Sequence, residues 1–233
     1  MKSRIAKLDW NKAIENLWAN GYGRLGPMLD RTECEHVRSM YDNPDLFRSR
    51  IDMSRYRFGR GEYQYFNDPV PPLIANLRTE LYSHLAKTAS GWMAALSLPE
   101  QYPSGLSQFI ERCHAAGQAR PTPLLLRYRS GDYNCLHQDL YGDVVFPFQV
   151  VTCLSRPDQE FSGGELLLLE QRPRAQSVGH AIRLEQGEAV VITTRYRPVK
   201  GSRGHYRANF RHGVSPLLSG ERFTLGIIFH DAN

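Results

Sequence analysis

"LLLRYRSGDYNCLHQDLYGDVVFPFQVV", residues 124–151, is where the chain changes its grammar. "LLLRYR" and "VFPFQVV" are apolar runs of strand length, and "SGDYN" between them is rich in turn formers. Further runs follow: "ELLLLE", "HAIRL", "EAVVIT", "YRANFRHGV" and "RFTLGIIFH", separated by "RPDQEFSGG", "EQG", "KGSRG" and "LLSGE". Short strands at this spacing predict an all-β sandwich or barrel after Pro123. His137 and Asp139 stand where a turn adjoins a strand, so their alternate side chains point to one face.

Upstream the period is helical. Asp9 is the expected N-cap of a helix that carries Trp10, Ile14 and Leu17 on one face and stops at Gly21. "TECE" places Thr32 and Glu35 in capping-box relation at the start of a second helix. Segment 71–97 opens on prolines and spaces Leu73, Leu77, Leu81 and Leu85 four apart, a long amphipathic helix; 104–117 is another, ended by Gly117. "RYRFGRGEYQYF", 55–66, alternates and reads as a strand or hairpin. The expected class is α+β. Residues 1–120 form a mostly helical support and 121–233 a β core, one cooperative unit because a sheet face would otherwise stay uncovered.

Hydrophobic residues at 41% and charged residues at 23% are ordinary for a globular chain. No apolar run reaches 18 residues and the N-terminus lacks an apolar leader core, so neither a membrane span nor a signal peptide is expected. Four scattered cysteines without CxxC spacing point to buried thiols and a cytoplasmic setting. The net charge of +5 falls short of a dedicated nucleic-acid binder. The stretch 193–212 is different: it holds six Arg/Lys and no acid, either a solvated hairpin face or a lip for an anionic substrate, with Arg195, Arg197, Lys200 and Arg203 as contact candidates.

Of eight histidines, His36, His84 and His114 fall in helices. His212, in "FRHGVS", lies on a late strand that a rolled sheet can bring beside His137 and Asp139. His205 is its competitor. Two imidazoles and one carboxylate on one face match the facial triad of non-haem Fe(II) enzymes, which leaves coordination positions open. Alone, HxD also describes a polar turn steadied by an Asp side chain. Cys135 is a further, weaker ligand candidate.

The flanks sharpen this reading. Tyr128-x-x-Gly131 precedes the HxD, Gly163-Gly164-Glu165 sits mid-chain, and Arg222 follows His212 by ten residues with Thr224 two beyond. Over 121–233 the chain resembles the 2-oxoglutarate- and Fe(II)-dependent dioxygenases, in particular their prolyl-4-hydroxylase-like branch. "LHQDLYGDVVFPFQVV", "EQRPRAQS", "YRANFRHGVS", "GRGEYQYF" and "GQARPTPLLLRY" resemble an uncharacterised bacterial group of these enzymes. The resemblance implies a double-stranded β-helix, or jelly roll, with the N-terminal helices packed on its outer sheet. It implies Fe(II) on His137, Asp139 and His212, and the distal carboxylate of 2-oxoglutarate on Arg222, with Tyr128 and Thr224 hydrogen-bonding to it. It implies a hydroxylase that uses O2 and turns 2-oxoglutarate into succinate and CO2, with ascorbate a candidate reductant. Two departures stand out. That branch usually has Lys where Arg222 stands, and the 72 residues between Asp139 and His212 are slightly many, with the excess placed in 171–181 and 195–205. Both bear on the substrate, a small molecule or a protein side chain. The same chemistry aimed at alkylated nucleic-acid bases is the alternative, supported by 193–212 and 55–66. A non-enzymatic cupin-like binding module is the third reading, and cupins favour an HxH that this chain lacks.

Overall fold

The computed structural model describes residues 2–233. In chain order the helices are α1 (Lys2–Ala6), α2 (Trp10–Asn20), α3 (Arg31–Ser39), α4 (Pro72–Ala95) and α5 (Leu106–Ala115). The strands are β1 (Tyr22–Pro27), β2 (Phe47–Asp52), β3 (Gly59–Arg60), β4 (Glu62–Phe66), β5 (Leu124–Arg129), β6 (Tyr133–His137) and β7 (Phe148–Cys153), then β8 (Phe161–Gly163), β9 (Leu166–Gln171), β10 (Val178–Ile182), β11 (Glu188–Thr193), β12 (Tyr196–Gly201), β13 (Gly204–Val214) and β14 (Leu217–Ile228).

The strands form two sheets. The larger runs β1-β11-β7-β14-β5-β4-β2, with β8 pairing β14; the smaller runs β10-β9-β13-β6-β3, with β12 pairing β13. One apolar cluster draws Tyr128, Val190 and Ile192 from the larger sheet and Leu168, Phe210 and Val214 from the smaller, so the two sheets face each other across a shared interior. This is the jelly roll that the family resemblance implies. The first 120 residues, expected to be mostly helical, also supply β1 to β4, which extend both sheets.

Period-two alternation divides each central strand between two jobs. On β14, Phe223, Leu225 and Ile227 join the cluster under the helices, while Arg222, Thr224 and Gly226 line the interior cavity. On β5, Leu125 faces the helices and Leu124, Leu126 and Tyr128 face the cavity; on β7, Phe148 and Val150 oppose Gln149 and Val151. The core and the site are therefore the two faces of one sheet.

The helices cover the outer face. Pro72 starts α4, where its missing N–H costs nothing, and Ile74, Leu77, Leu81, Leu85 and Trp92 are buried along it. Trp92 meets Phe148 edge-on, with ring centroids 4.6 Å apart. α2 starts at Asp9 as expected and ends at Gly21 in the left-handed region, at φ 79°. A side chain there would also strike the Phe210 ring, since a Cβ would lie 2.3 Å from it. The capping box of α3 is formed by Asp30 and Glu33, not by Thr32 and Glu35. The short carboxylate one residue ahead of Arg31 reaches the N3 amide first and starts the helix there.

Arg78 on α4 pins the sheet to the helix. Its guanidinium pairs with Asp231 at 2.7 Å and donates to the carbonyls of Ile228 and Phe229, with both charged side chains almost fully buried. Arg78→Ala leaves the Asp231 carboxylate buried beside only a half-exposed His114. We expect it to destabilise the fold by about 3–5 kcal/mol, measured as a lower urea midpoint at unchanged m-value.

Candidate active site

β6 and β13 are hydrogen-bonded neighbours, and their register sets His137 directly opposite His212. The imidazole centroids are 4.3 Å apart. Asp139 lies two residues past the end of β6 and turns back between them. Its Oδ2 is 3.1 Å from His212 Nε2 and its Oδ1 is 3.5 Å from His137 Nε2. One ligand atom from each of the three lies within 4.8 Å of the others, the spacing a single cation can bridge. His137 Nδ1 donates to the carbonyl of Cys135 at 2.8 Å, which fixes the tautomer and leaves Nε2 aimed at Asp139. Cys135 itself is exposed and stands outside this cluster, as does the exposed His205 on the β12–β13 hairpin.

Burial would raise the Asp139 carboxyl, but the charge and hydrogen bonds of His212 and His137 hold it well below the usual range. Burial, together with His137, lowers His212 despite Asp139. For His137, burial pulls down most, but the hydrogen bond and charge of Asp139 and the Cys135 carbonyl together outweigh it, so it is raised. The directions run toward an ionised Asp139 and a His212 that gives up its proton readily, the forms a metal needs.

The three side chains open on a cavity of about 360 Å³, within the range of small-molecule sites. Arg222, buried at 3% exposure, reaches the same cavity from β14. Its guanidinium lies near the Tyr128 and Phe161 rings, 5.7 and 5.9 Å from their centroids. Its Nη1 has no hydrogen-bond partner, and among the described residues no carboxylate pairs with it. Tyr128 faces Arg222 across the β5–β14 ladder, fully buried, its hydroxyl accepting from Asn134 at 3.4 Å. Burial pushes that phenol up, so it keeps its proton to donate. Thr224 is buried two residues along from Arg222 on the same face. A buried cation with no ion pair among the described residues, beside a protonated phenol and a hydroxyl, is suited to receive a carboxylate.

Some candidates fall away. Arg197, one of the candidates for substrate contact, is buried, pairs with Glu170 at 3.1 Å and donates to the carbonyl of Trp18. An inward position on β12 makes it a strut between the smaller sheet and α2. Arg211, next to His212 on β13, is exposed, and no ion-pair partner accompanies it among the described residues. Several cavity residues escaped the sequence reading. Gln149, 3.4 Å from the His212 ring, was legible as the one polar residue on the inward face of β7. Tyr63, Tyr65 and Tyr141 form an aromatic wall that only the fold assembles. Gly164, given no chemistry from sequence, adopts φ 66°, and a Cβ there would sit 2.5 Å from Leu217 and 3.3 Å from Arg222.

The family described as "Oxygenase, catalysing oxidative methylation of damaged DNA" matches residues 61–232. The chain belongs to this family. The match to this oxygenase starts at 61, taking in β4, α4 and α5 as well as the strands from 121 onward. An uncharacterised protein of Mycobacterium tuberculosis is 50% identical over 167 residues, 72% of each chain. Among solved structures, a 2OG-Fe(II) family oxidoreductase of Burkholderia pseudomallei superposes with TM-score 0.58 at 13% identity, covering 97% of this chain and 93% of that one. A Pseudomonas putida prolyl-4-hydroxylase gives 0.51 at 15% identity, covering 96% and 99%. At such identity the likeness is one of fold: the oxygenase carries the jelly roll of the 2-oxoglutarate- and Fe(II)-dependent enzymes. No helix of the described residues is long and apolar enough to cross a membrane.

Proposed function

We propose that His137, Asp139 and His212 hold Fe(II), and that Arg222, Tyr128 and Thr224 seat the distal carboxylate of 2-oxoglutarate in the same cavity. The reaction is hydroxylation of a substrate C–H bond, coupled to conversion of 2-oxoglutarate and O2 into succinate and CO2. The bound iron supplies the oxidising power, and the chain's own residues supply position. The observation that carries this reading is the buried, unpaired Arg222 sharing one cavity with a His-Asp-His cluster. A guanidinium binds a carboxylate with two parallel hydrogen bonds, and in this buried setting the pair is poorly screened. Residues 1–120 serve both as the helical cover of the outer sheet and, through β1 to β4, as part of both sheets, one cooperative unit with the core.

For the substrate, the family description favours damaged nucleic acid over a peptide. Hydroxylation of an N-methyl group on a base gives an N-hydroxymethyl group that breaks down to formaldehyde and the unmethylated base. The surface agrees with that substrate: Phe58 (48% exposed) and Leu136 (39%) stand at the cavity beside Arg57, and Tyr56 stacks on Phe58 at 5.6 Å. Exposed Arg195, Lys200, Arg203, Arg207 and Arg211 lie on β12, β13 and their flanks, with no ion pair among the described residues. Aromatic faces and unpaired cations suit a single-stranded nucleic acid. The test supplies Fe(II), 2-oxoglutarate and O2 with methylated single-stranded oligonucleotides or with peptides, and measures succinate and formaldehyde. The expected result is equal release of both with methylated oligonucleotide, falling steeply as salt rises. Succinate above background only with peptides would overturn the nucleic-acid reading and leave the iron chemistry standing.

A further inference from the structure

Asp139 sits just beyond the end of β6, where the ladder to β13 no longer holds the chain, yet its carboxylate is the shared partner of both imidazoles. Something else must fix which oxygen it presents. The hydroxyl of Tyr141 donates to Asp139 Oδ1 at 2.6 Å, the length of a charge-assisted O–H···O⁻ bond. Behind it, the hydroxyl of Tyr65 on β4 donates to the Tyr141 oxygen at 2.9 Å, and the Arg48 guanidinium lies over the Tyr65 ring at 4.6 Å. Each phenol has one proton, and an ionised carboxylate has none to give. The direction of the chain is therefore fixed: Tyr65 to Tyr141 to Asp139.

We propose that Tyr141 is a positioning residue that occupies Oδ1 and so keeps Asp139 a one-oxygen ligand through Oδ2, with Tyr65 holding Tyr141 in place. This rests on the metal reading of the cluster given above. The consequence is a matter of counting positions. Three single-atom protein ligands would leave room on a bound ion for the 2-oxo acid and for dioxygen. A carboxylate that swung to bind through both oxygens would take part of that room. Outer partners that orient metal ligands are worth about 10–100-fold in metal affinity or activity.

The test titrates Co(II), as an air-stable probe, into the full chain and records the dissociation constant and the visible cobalt spectrum. Tyr141→Phe should weaken Co(II) binding about tenfold and alter the spectrum, because the carboxylate is free to rotate. Tyr65→Phe leaves the Tyr141–Asp139 bond and should weaken binding by a smaller, measurable factor. The melting temperature of metal-free Tyr141→Phe should stay close to that of the parent, which separates positioning from folding. An unchanged constant and spectrum in Tyr141→Phe would overturn the proposal. If that variant does not fold, Tyr65→Phe decides by the same criterion. Asp139→Asn is the control: if it bound Co(II) as tightly as the parent, the metal reading itself would fail, and the role of Tyr141 with it.

Discussion

Asp139→Ala should abolish succinate release from 2-oxoglutarate, with a fall on the order of a thousandfold or more. The carboxylate carries the only negative charge in the His-Asp-His cluster, and its removal leaves two adjacent imidazoles, one of them raised by the very group that was lost. A metal's stabilisation of developing charge is worth several kcal/mol, and each 1.36 kcal/mol is about a factor of ten in rate. His212→Ala should have the same effect, because His212 lies opposite His137 across the ladder and cannot be replaced by a neighbour. His205→Ala should turn over like the parent, since His205 is exposed on the hairpin. Succinate assays, with melting curves to show that each variant is folded, check all three. Full activity of Asp139→Ala would remove the metal assignment.

Arg222→Ala should act on the cosubstrate. Truncating one member of a buried hydrogen-bonded charge pair costs about 2–5 kcal/mol, so the 2-oxoglutarate requirement should rise by roughly a hundredfold with a smaller change in kcat. Arg222→Lys should fall between the two, keeping the charge but losing the planar fork. The metal-free protein should respond in the opposite sense. There the guanidinium is buried with an unpartnered Nη1, so Arg222→Met should stabilise the fold, by about 1 kcal/mol or more. Adding 2-oxoglutarate with a divalent metal should raise the melting temperature of the parent and leave that of Arg222→Met nearly unchanged. Equal thermal shifts in both would mean that the cosubstrate is anchored elsewhere.

The sequence made some of this legible because strand alternation is local. The positions of His137, Arg222 and Thr224 on inward faces follow from counting by twos along β6 and β14, and the ladder then sets Tyr128 opposite Arg222. The helices were readable for the same reason: Asp9 and Gly21 bracket α2 through chemistry at adjacent residues. What escaped was long-range. β1 and β2 carry no clear alternation, and they become strands by adding to edges offered by β11 and β4. Arg197 looked like one of several surface cations until Glu170, 27 residues away, was found buried beside it. Tyr141 lies in an irregular loop where no period says which way a side chain points, and its partner Tyr65 comes from the first third of the chain. The resemblance to a family named the cluster; only the fold sets the Tyr141 hydroxyl against it.

Anomalous diffraction at the iron edge, on crystals grown without oxygen in Fe(II) and 2-oxoglutarate, would locate the ion. The account places one peak within bonding distance of His137 Nε2, Asp139 Oδ2 and His212 Nε2, with the cosubstrate's far carboxylate against Arg222. A peak bound through Cys135 or His205, or none in the cavity that Arg222 lines, would contradict it.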